Sequence, residues 1–148
     1  MPDRLSVAKF VYGAFLIAPI LYVMILLFIL NQGYVPVVKD ESYLSLLYGV
    51  FAVITIVDLV IAYVLPRFMV QRYKREEIIR RFQTSPDAYF LTVTIIQGLL
   101  YEAIAIYGLV LGLLGVNWQL TLPFFFISVV AMIITFPCEE RYRKFTAL

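Results

Sequence analysis

The sequence predicts an all-α integral membrane protein, a four-helix bundle of two antiparallel hairpins with the N- and C-termini cytoplasmic. Three observations lead there. Of the 148 residues, 63% are hydrophobic, well above the ~45–50% of an ordinary globular domain, and the mean hydropathy is +0.92. The apolar residues gather in four stretches, about 10–30, 43–65, 89–116 and 120–136, each close to the roughly 20 residues that a spanning helix needs. Every Lys and Arg except Lys39 lies before the first stretch, between the second and third, or after the fourth. An even number of spans puts those three segments on one face, and an excess of positive charge marks that face as cytoplasmic. Little chain is left over, so residues 1–148 read as one transmembrane domain.

The first stretch, Phe10–Leu30, is longer than the roughly 7–15-residue apolar core of a secretory signal peptide, and no small-residue cleavage site follows it. It is expected to remain as a helix. The loop Asn31–Ser42, with Gly33 and Pro36, reads as a short exposed connection on the outer side. The second span is Tyr43–Leu65. After it comes the basic cytoplasmic segment Pro66–Ala88, where Glu76 and Arg80, and Glu77 and Arg81, stand four apart with the acid first, the favourable order on a helix. That spacing predicts a helical extension or a short interfacial helix over Arg67–Phe82. The segment serves either as a charged linker that anchors topology or as a docking site for a cytoplasmic partner.

Ser85-Pro86-Asp87 is a helix start: a capping hydroxyl, proline at the first helical position, and an acid near the positive end of the dipole. The third span, Tyr89–Val116, turns tightly at Gly115-Val-Asn-Trp-Gln119 into the fourth, Leu120–Phe136, so these two form an antiparallel hairpin. Tyr34 and Trp118 stand where interfacial aromatic anchors belong. Pro19 and Pro123 are expected to loosen their helices, and Pro137 to end the last.

Composition removes several function classes. Histidine is absent and cysteine occurs once, as Cys138, so a disulfide within the chain, a His-ligated haem and a thiolate cluster are all excluded within one chain. No cofactor and no metal site is expected. Cys138 reads as an inert thiol or a lipidation point. The net charge of +2 comes from basic residues that flank spans and meet lipid headgroups, so it is no sign of nucleic-acid binding.

The chemistry is concentrated in two acids, Glu102 and Asp58, each inside an apolar run. Ionising a carboxyl at membrane depth is expensive unless it is paired or wetted, which makes such a residue a functional candidate. Asp58 is nine residues from Arg67 and Glu102 fifteen from Asp87, ~13 and ~22 Å at helical rise. Helix tilt allows the two to reach a similar depth, as a coupled pair or as successive stations for a proton. Gly98, Ala105 and Gly112 lie around Glu102, and Gly108 precedes Gly112 by one turn. Small residues at such spacing let another helix approach closely, so Glu102 is expected to face protein. Thr55, one turn before Asp58 on the same face, is expected to donate a hydrogen bond to it, and Gln97 lies one to two turns from Glu102. The alternative is that both acids stay neutral and only fix packing. A lipid or quinone contact is a third reading.

The string Glu102-Ala-Ile-Ala-Ile-Tyr-Gly-Leu-Val110 resembles the carboxylate helix of the proteolipid (c) subunits of rotary ATPases, and the Arg81-Phe-Gln83 and Pro86 segment is loosely similar to that family's basic loop. The resemblance is local: the second span holds one glycine, Gly49, where the family's inner helices are glycine-rich. It implies that Glu102 binds and releases a proton or sodium ion, with Gln97 and Tyr107 as neighbouring candidates. The ion-binding set is therefore Glu102, Asp58, Gln97, Tyr107 and Thr55. The chain is also similar to small four-span bacterial membrane proteins carrying an acid-Tyr-Gly helix, a likeness that implies no activity.

Two functions follow as expectations. One is a proton- or cation-linked membrane subunit centred on Glu102. The other is a non-catalytic accessory or scaffold subunit of a larger membrane complex. An enzyme is least supported: there is no histidine, no cysteine near the acids, no Gly-rich phosphate loop and no paired metal-ligand motif, and although two carboxyls can support acid–base chemistry, nothing in the sequence identifies a substrate pocket. The expected partners are the lipid bilayer and either further copies of the chain or other membrane subunits, in a bacterial or archaeal inner membrane.

Overall fold

The computed structural model describes residues 4–74 and 85–146. They form five helices: α1 (Arg4–Asn31), α2 (Glu41–Lys74), α3 (Pro86–Leu114), α4 (Trp118–Ile134) and α5 (Glu139–Thr146), with no strand among the described residues. Three helices are long and apolar enough to cross a membrane, over Leu5–Asn31, Glu41–Met69 and Pro86–Leu114. The apolar helix α4, at 17 residues, is ~26 Å long at helical rise.

Local sequence explains most of the helix ends. Asp40 starts α2, its carboxylate accepting from the Ser42 N–H at 2.9 Å. Ser85 caps α3 as expected, its hydroxyl accepting from the Ala88 N–H, with Pro86 in the first turn. Asn117 caps α4 by accepting from the Gln119 N–H at 3.0 Å. At the other end Thr135 closes α4, two residues earlier than the apolar run suggests. Pro137 disfavours helical backbone at Phe136, and Arg141 donates to the Thr135 carbonyl at 2.6 Å, satisfying an end group. The extension expected over Arg67–Phe82 is observed as far as Lys74, because α2 continues through Pro66. The rest of it, with the Glu76/Arg80 and Glu77/Arg81 pairs and the Arg81–Gln83 stretch, lies outside the described residues.

The packing is organised around α3, which touches α1, α2, α4 and α5. Gln97 of α3 meets Ala62 of α2 and Tyr107 meets Asp58, so these two helices run antiparallel. Ser128 of α4 meets Tyr101, and Phe124 lies on Gly108, which makes α3 and α4 an antiparallel pair. Phe15, Tyr22 and Leu26 of α1 meet Gly98, Glu102 and Gly112 in ascending order, so α1 runs parallel to α3. The expected first hairpin differs in one respect. α1 and α2 have opposite directions but α3 stands between them, and their closest partner in each case is α3.

The small residues of α3 are the reason it can serve as this hub. A Cβ at Gly98 would fall 2.6 Å from the Phe15 ring, at Gly112 2.7 Å from Leu26, and at Gly108 2.9 Å from the Phe124 Cβ. Ala105 is fully buried in a cluster with Leu26 and Phe125. The face that could admit a foreign helix is thus filled by side chains of α1 and α4. By contrast α1 and α2 leave Phe10, Met24, Phe28, Val53 and Ile56 more than half exposed, and helices apolar all round need an apolar surrounding.

Two smaller features complete the fold. The loop after α1 folds over the end of α3, where Tyr34 donates to the Leu113 carbonyl at 2.7 Å and the Val38 N–H to that of Leu114 at 3.1 Å. Tyr34 therefore has a capping role in addition to any at an interface. At the opposite end α5, not anticipated from the sequence, docks through Tyr142. Its hydroxyl donates to Asp87 at 2.8 Å and its ring meets Phe90 edge-on at 5.2 Å.

Candidate functional site

The two acids of the apolar helices have different partners. The Tyr22 hydroxyl of α1 donates to Glu102 Oε1 at 2.7 Å, and the Tyr107 hydroxyl of α3 donates to Asp58 Oδ2 at 2.9 Å. All four side chains are half-buried. Glu102 and Tyr107 are five residues apart, about 140° around α3, so one acid–phenol pair lies on the α1 flank and the other on the α2 flank. Depth is similar. With Ala62 held opposite Gln97, Asp58, one turn away, comes level with Tyr101 and Glu102 on the antiparallel neighbour. The two acids thus have separate hydrogen-bond partners on opposite flanks of α3 and do not form a shared pair.

Neither carboxyl has a cation beside it among the described residues, where Arg143 and Glu139 form a salt bridge at 2.7 Å on the surface. A phenol is compatible with either state of an acid: it can donate to a carboxylate or to the carbonyl oxygen of the neutral form, and it adds no charge of its own. Among the described residues no three His, Cys, Asp or Glu side chains converge as metal ligands would. Cys138 is free and exposed.

Gln97 is buried and joins two helices, its Nε2 donating to the Ala62 carbonyl at 3.0 Å and to the Tyr101 hydroxyl at 3.3 Å. Its role here is a tie between α2 and α3. Ser128 donates to the Tyr101 carbonyl at 2.7 Å, tying α4 to α3. Tyr12 of α1 and Thr135, beside the end of α4, are hydrogen-bonded, and Thr135 donates on to the Ala131 carbonyl. Replacing Gln97 by leucine keeps the bulk but strips the Ala62 carbonyl and the Tyr101 hydroxyl of a partner. The variant is expected to lose about 1–2 kcal/mol of stability, read as a lower unfolding midpoint in lipid, with helix content unchanged.

The expected bond from Thr55 to Asp58 is not formed. Thr55 is 4% exposed and its hydroxyl has no hydrogen-bond partner among the described residues, while Asp58 takes its bond from Tyr107. One-turn spacing permits that bond without enforcing it, since the tyrosine of the facing helix competes for the same carboxylate. Sequence reasoning missed Tyr22, Tyr12, Ser128 and Thr135. The signal available was a hydroxyl inside an apolar run, which seeks a partner once buried.

Fold and site together define a helical chain with three helices long and apolar enough to cross a membrane, crosslinked at depth by hydrogen bonds from tyrosine, glutamine and serine. It matches no protein-family model, no curated protein and no solved structure.

Proposed function

We propose that the chain is a four-span membrane protein with cytoplasmic termini that handles protons or small cations, and that Glu102 is the group that takes up and releases the ion. The observation that carries this reading is the Tyr22–Glu102 pair. Among the described residues, a carboxyl near the middle of α3 has a single neutral donor and no neighbouring cation, so either protonation state can keep its hydrogen bond. The Asp58–Tyr107 pair repeats the arrangement on the other flank of α3. A reading of Glu102 as an ion carrier accords with the local likeness of its helix to proteolipid subunits, and on that likeness the chain would work with further membrane partners.

The test is infrared difference spectroscopy of the protein in lipid, with Glu102→Gln subtracted to assign the carboxyl bands. A Glu102 band that titrates reversibly, or shifts on adding sodium, supports ion handling. A band fixed in the neutral form from mildly acid to alkaline pH removes the proposal.

A second reading, an accessory subunit of a larger complex, is favoured by α2. That helix packs chiefly on α3 and leaves Val50, Val53, Val57, Val60 and Val64 exposed along its length, a face that a partner helix could share with lipid. Stable co-purification with another membrane protein, combined with a silent Glu102→Gln, would decide for this reading.

A further inference from the structure

Among the described residues of α2 the buried ones are Thr55 and Ala62, seven apart on one side of the helix, and Ala62 lies against Gln97 of α3. The opposite side carries Leu46, Val50, Val53, Val57, Val60 and Val64, alternately four and three residues apart and each 47–63% exposed. That spacing is the heptad seam of a left-handed coiled coil, with Val50, Val57 and Val64 in one core row and Leu46, Val53 and Val60 in the other. Every valine of α2 before Arg67 falls on it. Thr55 and Ala62 take the heptad place farthest from the seam, so packing on α3 leaves the whole seam free.

The seam suits a helix that packs on another in lipid. From Leu46 to Val64 it is ~27 Å long at helical rise, close to the ~30 Å of the hydrocarbon layer. Its next place is Arg67, whose guanidinium lies over the Tyr63 ring at 3.9 Å, so the apolar row stops there. Cohesion between apolar helices in a bilayer comes from close packing. Valine is nearly fixed at χ1 in a helix, so interlocking rows lose little side-chain freedom. The exposed face of α1 is of mixed size instead, with Phe10, Met24 and Phe28. Beside the outer end of the seam is Gly49, where an added Cβ would touch nothing, whereas the notches at Gly98, Gly108 and Gly112 are filled. Ten large apolar side chains of α2 stand exposed between Leu46 and Val64. At roughly 50 Å² each they offer about the 500 Å² per copy that a specific interface needs.

We propose that α2 pairs with α2 of a second copy of the chain, in parallel, along this valine seam. Copies of one protein insert the same way round, so their α2 helices are parallel about an axis along the membrane normal. In that arrangement the heptad row of one copy meets the identical row of the other in register. The pairing rests on the membrane reading of the chain and is independent of what Glu102 does.

Disulfide crosslinking of the full chain in liposomes tests it, in a Cys138→Ser background with Val50→Cys, Val64→Cys or Met24→Cys. Val50→Cys and Val64→Cys are each expected to give a linked dimer under mild oxidation, and Met24→Cys, exposed on α1, only the yield of random collisions. Equal yields at all three positions overturn the proposal. Linkage of Val50→Cys to Val64→Cys in mixed samples, without self-linkage of either, marks antiparallel helices and overturns it too. Val57→Phe gives a readout without cysteine. The position is exposed, so the monomer keeps its fold, while the added bulk is expected to weaken self-association about tenfold or more. Energy transfer between labelled copies on dilution into lipid measures this, and Met24→Phe is expected to match wild type. Alkaline extraction of the same liposomes separates the two ways of failing: an embedded chain that stays monomeric at every protein-to-lipid ratio overturns the pairing alone, and a chain that washes off overturns the membrane reading with it.

Discussion

Gly115→Ala is expected to be the most damaging small substitution in the chain, lowering stability by about 2–5 kcal/mol. The residue closes α3 in the left-handed region at φ 119°, a conformation that costs a residue bearing a Cβ about 1–2 kcal/mol. Its N–H bonds back to the carbonyls of Leu111 and Gly112, so relaxing the backbone would break the end of the hub helix. The space is also occupied: an added Cβ falls 2.7 Å from the Pro36 Cβ and 3.0 Å from the Val38 carbonyl oxygen. Neither atom is the end of a flexible side chain, and overpacking of this kind adds about 1–3 kcal/mol. Gly33 is the natural control. It has φ 77° but nothing within 4 Å of an added Cβ, so Gly33→Ala is expected to show the conformational part alone. Unfolding midpoints measured in lipid decide the matter: equal losses at the two glycines would mean that the loop does not press on α3.

What the sequence made legible follows from the physics of each signal. Apolar runs of membrane length announce helices directly, and α1, α2 and α3 fall where those runs lie. The Ser85-Pro86-Asp87 start was equally readable, because a cap is a local interaction between residues three apart. The central position of α3 was only half readable. Helices apolar all round have no polar face to show which side turns inward. Gly98, Ala105, Gly108 and Gly112 did mark α3 as a helix that others approach closely. They could not reveal that Phe15, Leu26 and Phe124 of the same chain fill those notches. Nor could α5 be foreseen, since eight mostly polar residues carry no apolar run, and its docking depends on Tyr142 meeting Asp87 and Phe90 across the fold.

The site was legible in its acids and obscure in their partners. Glu102 and Asp58 stand out because carboxyls are rare in apolar runs. Tyr22 lies 80 residues from Glu102, inside a stretch where a tyrosine reads as one more large apolar side chain. For Asp58 the sequence offered one donor, Thr55 on its own helix; Tyr107 was expected beside Glu102 and instead bonds Asp58, because no sequence spacing tells which acid a tyrosine on a facing helix will meet. The phenol prevailed because α2 and α3 are locked in register by Gln97 on the Ala62 carbonyl, which delivers the Tyr107 hydroxyl to the carboxylate.

Glu102→Gln and Tyr22→Phe are expected to separate ion handling from packing. In Glu102→Gln the amide oxygen still accepts from Tyr22, so the helix contact survives and stability changes by less than about 1 kcal/mol. The amide cannot take up a proton, and proton flux through liposomes carrying the protein is expected to fall by about 100-fold or more, the scale on which a positioned acid–base group acts. Tyr22→Phe does the opposite. It keeps the carboxyl but removes the Tyr22 hydroxyl that donates to it, leaving the acid without that partner inside an apolar helix. Stability is expected to drop by about 0.6 kcal/mol and by no more than about 1.7, the average and the maximum measured for hydrogen bonds between membrane helices. The carboxyl band of Glu102 should shift in the infrared, and flux should persist with an altered pH dependence, because charging the acid no longer draws on a phenol. Two results would sink this account. If Glu102→Gln leaves flux intact, the acid carries no ion; if it unfolds the protein as Gly115→Ala is expected to, Glu102 is a packing residue whose charge has no further use.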